Sequence, residues 1–120
     1  MEKSKSITYK IFKGAGVNQV SSDGWTPLMR AAEEGRKEVV EYLIKQGANI
    51  ETKNKDGATP LHVAAQEGQL AVVACLQKAG ASLEATDKEG KTPLMIAKQH
   101  DRSAVVQFLE GAQGNKSEGL

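Results

Sequence analysis

The sequence predicts an all-α stack of short helix-turn-helix units, and two observations carry that prediction. D-G-W-T-P-L-M-R-A-A begins at Asp23, D-G-A-T-P-L-H-V-A-A at Asp56 and E-G-K-T-P-L-M-I-A-K at Glu89, a spacing of 33 residues each time. A fixed period of this size marks an architecture in which each unit buries its apolar face against its neighbours. The repetition also runs past these openings: Val39-Val40, Val72-Val73 and Val105-Val106 keep the interval, as do Leu43, Leu76 and Leu109, and the Gly-Ala pairs at Gly14, Gly47 and Gly80. About half the positions of the first two full units are identical.

Within each unit the residues dictate two helices and a turn. Thr26, Thr59 and Thr92 suit N-caps, and Pro27, Pro60 and Pro93 then fall at the first helical position, where a missing N–H costs nothing. The first helix should end near Gly35 and Gly68, and the second near Gly47 and Gly80, where a residue without Cβ takes the left-handed conformation. Helices of about eight to ten residues do not persist alone in water, so stacking must hold them. Ala31-Ala32 and Ala64-Ala65 let successive first helices approach closely, while Leu28, Leu61, Leu94 and the Val-Val pairs form ladders along the stack.

The T-P-L-H-V-A-A run from Thr59, the Val-Val and Leu of the second helix and the closing Gly-Ala resemble the ankyrin repeat, over about residues 7 to 110. The resemblance implies a solenoid with hairpin tips, a structural hydrogen bond from His62 that holds its turn, and a role in binding rather than catalysis. Met29 and Met95 replace that histidine in the other units and cannot make the bond. The expected division is residues 1–22 as an N-terminal half-unit or cap, full repeats at 23–55 and 56–88, a capping repeat at 89–110, and a flexible tail at 111–120. Ile7, Ile11 and Phe12 before Gly14 supply the half-unit's helix, which is either a natural cap or the edge of a longer array. In the last unit Lys98 replaces an alanine, His100-Asp101 replaces the glycine turn, and Glu110 stands where Ile44 does, polar choices that suit a face with no neighbour.

Composition narrows the function classes. Hydrophobic residues at 39% are enough for a core, and 4% aromatics fit a thin one of Ala, Val and Leu. The net charge of +1 comes from intermixed signs, unlike the basic footprint of a nucleic-acid binder. Lys3, Lys5, Lys10 and Lys13 are the one local excess and read as a solvated helix face. No apolar run approaches a membrane span or a secretory segment, and the single Cys75 excludes an internal disulfide, so an intracellular, cytoplasmic or nuclear, monomer is expected.

The chemistry-bearing residues do not assemble into an active site. His62 and His100 lie in different units with no partner at ligand or triad spacing. Gly14-Ala15-Gly16 lacks the context of a phosphate loop, and the Glu33-Glu34 side chains diverge by about 100° on a helix. No enzyme activity, cofactor or metal is expected. The resemblance instead implies a concave strip of hairpin tips and first-helix residues that binds another protein, with no nucleic acid or membrane partner. Carried onto this chain, the tips are Ser22, Asp23 and Trp25, then Lys53, Lys55, Asp56 and Ala58, then Lys88, Glu89 and Lys91; the helix positions are Glu33, Glu34, Gln66, Glu67, Gln99 and His100. This mixed-charge strip suits a mixed-charge polypeptide. Trp25, the only tryptophan, is either a partner anchor or a brace against its own hairpin. The alternatives to a self-standing module are a fragment of a larger ankyrin protein and an engineered scaffold.

Overall fold

The computed structural model describes residues 16–118, with side chains described as far as residue 113. The N-terminal half-unit through Ala15, including the four lysines, lies outside the described residues. Among those described there are six helices and no strand: α1 Pro27–Glu34, α2 Lys37–Lys45, α3 Pro60–Gln66, α4 Leu70–Lys78, α5 Pro93–Gln99 and α6 Ser103–Glu118. Each odd-numbered helix packs on the even-numbered one that follows it and on the odd-numbered helix of the next unit, and α2, α4 and α6 pack in sequence behind them. The result is a two-layered rod of 48 × 26 × 24 Å.

The helix starts follow from the Thr-Pro pairs. The hydroxyl of Thr26 accepts from the Met29 N–H at 3.1 Å, and that of Thr92 from the Met95 N–H at 3.3 Å. Thr59 caps α3 in the same way, and there the His62 side chain also accepts from the Thr59 N–H, closing a reciprocal capping box. Gly35 ends the first helix at φ 71°.

The interior is as small-residued as the alanine pattern requires. Ala31, Ala32, Ala64, Ala65 and Ala97 are fully buried between successive first helices, and Leu28, Leu43, Leu61, Leu76 and Leu109 make the ladder behind them. Val40, Val72, Val73 and Val105 fill the spaces between units. At the far end Lys98 and Glu110 form an ion pair at 3.3 Å across the face of the last unit.

Polar bonds repeat with the same period and fix the register between units. The Lys55 N–H donates to the Asp23 carbonyl at 3.0 Å and the Lys88 N–H to the Asp56 carbonyl at 3.1 Å, joining consecutive tips. Gln69 donates through Nε2 to the Glu33 carbonyl at 3.0 Å, and Arg102 through Nε to the Gln66 carbonyl at 2.8 Å, strapping consecutive turns. On the opposite side the Asn49 N–H reaches Asn18 Oδ1 at 2.7 Å and the Ser82 N–H reaches Glu51 Oε2 at 2.8 Å. Four of these bonds run over a glycine, Gly24 and Gly57 at the tips and Gly35 and Gly68 at the turns. A Cβ on Gly57, at φ 79°, would stand 2.8 Å from the Lys88 nitrogen, and a Cβ on Gly35 would collide with the Gln69 side chain.

The last unit departs from expectation at its end. The second helix was expected to stop near residue 110 with a flexible tail beyond; instead α6 continues to Glu118. The glycines that end the preceding units are Gly47 and Gly80, both with positive φ, and the matching position in the last unit is Gln113. Gly111 and Gly114 fall off that register, where a glycine weakens a helix by about 1 kcal/mol without ending it. Asp101 occupies the left-handed position held by Gly35 and Gly68, with φ 57°.

Leu76, fully buried, should cost about 2–5 kcal/mol when cut to alanine. Gly57→Ala should destabilise more than Gly90→Ala in urea melts, because both have positive φ but an added Cβ on Gly90 meets nothing within 4 Å. Asp101→Gly should stabilise by about 1 kcal/mol through relief of the left-handed backbone.

Candidate partner-binding groove

The tips are built by residues at one repeat position: Ser21, Asn54 and Asp87. Asn54 Oδ1 accepts from the Asp56 and Ala58 N–H groups at 2.8 and 3.1 Å, and Asp87 Oδ1 accepts from Glu89 and Lys91 at 2.9 and 3.0 Å. A side-chain acceptor two residues before the donor folds the chain into a tight turn, which Gly57 and Gly90 complete. Ser21 is too short to hold both donors. Its Oγ accepts only the Trp25 N–H, at 3.1 Å, and donates to the Asp23 carboxylate at 2.6 Å. That donation is the first cause holding the exposed Asp23 carboxyl below its ordinary range, with smaller help from Arg30 and Lys55.

Between the tips and the first helices lies a groove of about 190 Å³, lined by Trp25 and Glu33 of the first full unit, Asp56, Val63 and Glu67 of the second, and Ile96 of the third, among others. Of the expected strip residues, Trp25, Glu33, Asp56, Ala58, Gln66 and Glu67 come together here. Trp25 is half-buried, with the Arg30 guanidinium carbon 4.6 Å from its ring centroid. Both readings of this side chain therefore have a physical basis, since the ring is braced by Arg30 and also walls the groove.

The remaining expected residues do not line the groove. Asp23, Lys55, Lys88 and Glu89 are exposed on the tips. Lys53 donates to the Thr86 carbonyl at 2.9 Å. The Lys91 ammonium donates to Gln99 Oε1 at 2.7 Å and pairs with Glu89 at 3.1 Å. Glu34 lies half-buried against Arg36, with Nε 3.7 Å away, and His100 caps the exposed end of α5. The mixed-charge strip read from the sequence is thus sorted by sign: Glu33, Asp56, Glu67 and Asp87 line the groove, and no lysine or arginine does.

Sequence reasoning missed Asn54, His62, Val63, Asp87 and Ile96 as lining residues. The signal for two of them was present, because Val63 and Ile96 are apolar at the repeat position where the first unit has Arg30. His62 is 2% exposed and sits under the groove floor. Its Nδ1 accepts from the Thr59 N–H at 3.1 Å and its Nε2 lies 2.8 Å from the Lys91 carbonyl. A carbonyl only accepts, so Nε2 carries the proton and the ring is neutral. The histidine therefore holds its own turn and latches it to the next hairpin. Met29 occupies the equivalent place fully buried, and Met95, at the far end, is half exposed.

Nothing in this arrangement presents an activated nucleophile. The Cys75 thiol, half-buried on α4, has its pKa pushed up by burial and by Glu41. Among the described residues no cluster of histidine, cysteine or acidic side chains could hold a metal ion, and no helix is long and apolar enough to cross a membrane.

The family model for ankyrin repeats, in three copies, matches residues 2–87 and again 47–118. The chain belongs to the ankyrin-repeat family. A search of curated proteins gives no match. Ankyrin repeats are generally protein-interaction modules rather than enzymes.

Burial lowers the His62 pKa below its ordinary 6.5, outweighing the Lys91 carbonyl and Asp87, which act the other way, while Lys53 adds to the lowering. The unfolded chain then binds the proton more readily than the native one. Stability should be complete above about pH 6.5 and fall as the pH drops toward the lower native value. Urea midpoints at about pH 7.5 and pH 5.5 should differ less in His62→Gln than in the wild type. His62→Leu should also lose about 1 kcal/mol or more at neutral pH as the Lys91 carbonyl loses its donor.

Proposed function

We propose that the chain is a non-enzymatic recognition module that binds a polypeptide partner through the concave groove and the tips beside it. The observation that carries this reading is a continuous groove walled by three units, whose exposed side chains are separate from the Leu, Val and Ala ladders that hold the stack. A repeat protein stabilises its core with one set of positions and leaves another free to specify a partner. Trp25 is the anchor of this reading: a large ring at a groove wall, held by Arg30 so that little further freedom is lost when a partner covers it.

The test combines recovery of a partner, its identification by mass spectrometry and titration with variants. Trp25→Ala should weaken binding by about 2 kcal/mol or more, while Lys53→Glu and Lys88→Glu should mainly alter association rate and salt dependence. Circular dichroism should remain that of the wild type in all three. Glu41→Lys, on the outer face, should leave affinity unchanged; if it abolishes binding while the groove variants do not, the partner sits on the second helices.

A further inference from the structure

The lining of the groove specifies more than its location. It carries Glu33, Asp56, Glu67 and Asp87 and no lysine or arginine. The carboxylates of Asp56 and Glu67 have no ion pair and no hydrogen bond among the described residues. Glu33 has only a partly exposed contact with Arg30 at 3.7 Å, which water screens. Asp87 gives Oδ1 to two tip N–H groups, and its Oδ2 takes part in neither bond. Two tip cations are committed elsewhere, Lys53 to the Thr86 carbonyl and Lys91 to Glu89 and Gln99, while Lys55 and Lys88 are exposed on the tips and do not line the groove. His62 below them is neutral and adds no positive charge. Like charges gathered in a concavity focus a field of one sign on whatever enters.

The other walls restrict the occupant further. Val63 and Ile96, both largely buried, and the half-buried Trp25 add apolar lining to the same groove. No three of the acidic groups form a metal-binding cluster. The volume of about 190 Å³ is below the roughly 300–1,000 Å³ of small-molecule sites and suits a single long side chain. A chain with an apolar stem and a cationic head matches both kinds of wall at once.

From charge complementarity and size together, we infer that the groove takes an arginine or lysine side chain from a basic polypeptide segment. The stem lies against Val63, Ile96 and Trp25, and the head lies among Asp56, Glu67 and Asp87. This inference rests on the groove being the recognition surface.

The test is a selection of random peptides of about twelve residues on the full chain, with every recovered peptide re-screened on Trp25→Ala. Affinities are then followed by the fluorescence of Trp25, the only tryptophan. Peptides that depend on Trp25 should be enriched in arginine and lysine. They should bind at least about tenfold more weakly to the Asp56→Asn/Glu67→Gln variant and lose affinity with salt. Glu67→Lys should abolish binding of the original peptide and recover it when the peptide's basic residue is exchanged for glutamate, a swap that a purely structural role for Glu67 would not rescue. Trp25-dependent peptides without basic residues, or insensitive to the carboxylate changes, would overturn the charge inference and leave the groove reading standing. Peptides indifferent to Trp25→Ala, or no enrichment at all, would overturn both. Thermal melts of each variant establish that the fold is intact, and the isosteric Glu67→Gln alone repeats the test if the double variant is unstable.

Discussion

The backbone bonds between consecutive tips, Lys55 to Asp23 and Lys88 to Asp56, set the relation of each unit to the next. Alanine and leucine ladders supply apolar burial, but burial is non-directional and would tolerate units that slide or rotate. The tip bonds do not, because a hydrogen bond weakens steeply as its geometry is lost. They form only where two chain segments come nearly into contact, and Gly57 permits that approach by having no side chain above Lys88. The straps from Gln69 and Arg102 repeat the constraint at the turns. His62 adds a third tie in the middle unit, from the floor of one unit to the hairpin of the next.

Those ties also engage several of the polar side chains around the groove. Asn54 and Asp87 spend their acceptors on their own tips, and Lys53 and Lys91 spend their donors on neighbouring oxygen atoms. Asp56 and Glu67 have no such duties and line the groove, whereas Lys55 and Lys88, equally unengaged, stay exposed on the tips.

Much of the scaffold was legible in the sequence because its signals are local. Thr-Pro fixes each first-helix start, Gly35 its end, and the doubled alanines the closeness of the layers. The end of α6 was less legible: the tail from Gly111 is polar and without an apolar period, yet α6 runs to Glu118, and the register places Gln113 where the earlier units have their terminating glycine. The charge sorting was not legible, since it depends on which side chains the folded tips and helices turn into the groove and not on their place along the chain. Nor was the partner of His62 Nε2. A backbone carbonyl carries no residue identity, so no pattern of side chains could point to Lys91. Of the candidate strip, the residues that come together are those on the inner edges of tips and helices, while the outermost tip positions were assigned by repeat position alone and stay apart.

The groove has one further property, which follows from its walls belonging to three different units. No single repeat contains it, so it exists only while neighbouring repeats are docked in register. Occupancy and docking are then thermodynamically linked: whatever binds across the walls favours the docked arrangement by RT ln(1 + [L]/Kd), and whatever loosens an inter-unit tie reduces the fraction of molecules competent to bind. Substitutions at Gly57 or Gln69, which do not line the groove, would in this way act on affinity as surely as those in the groove itself.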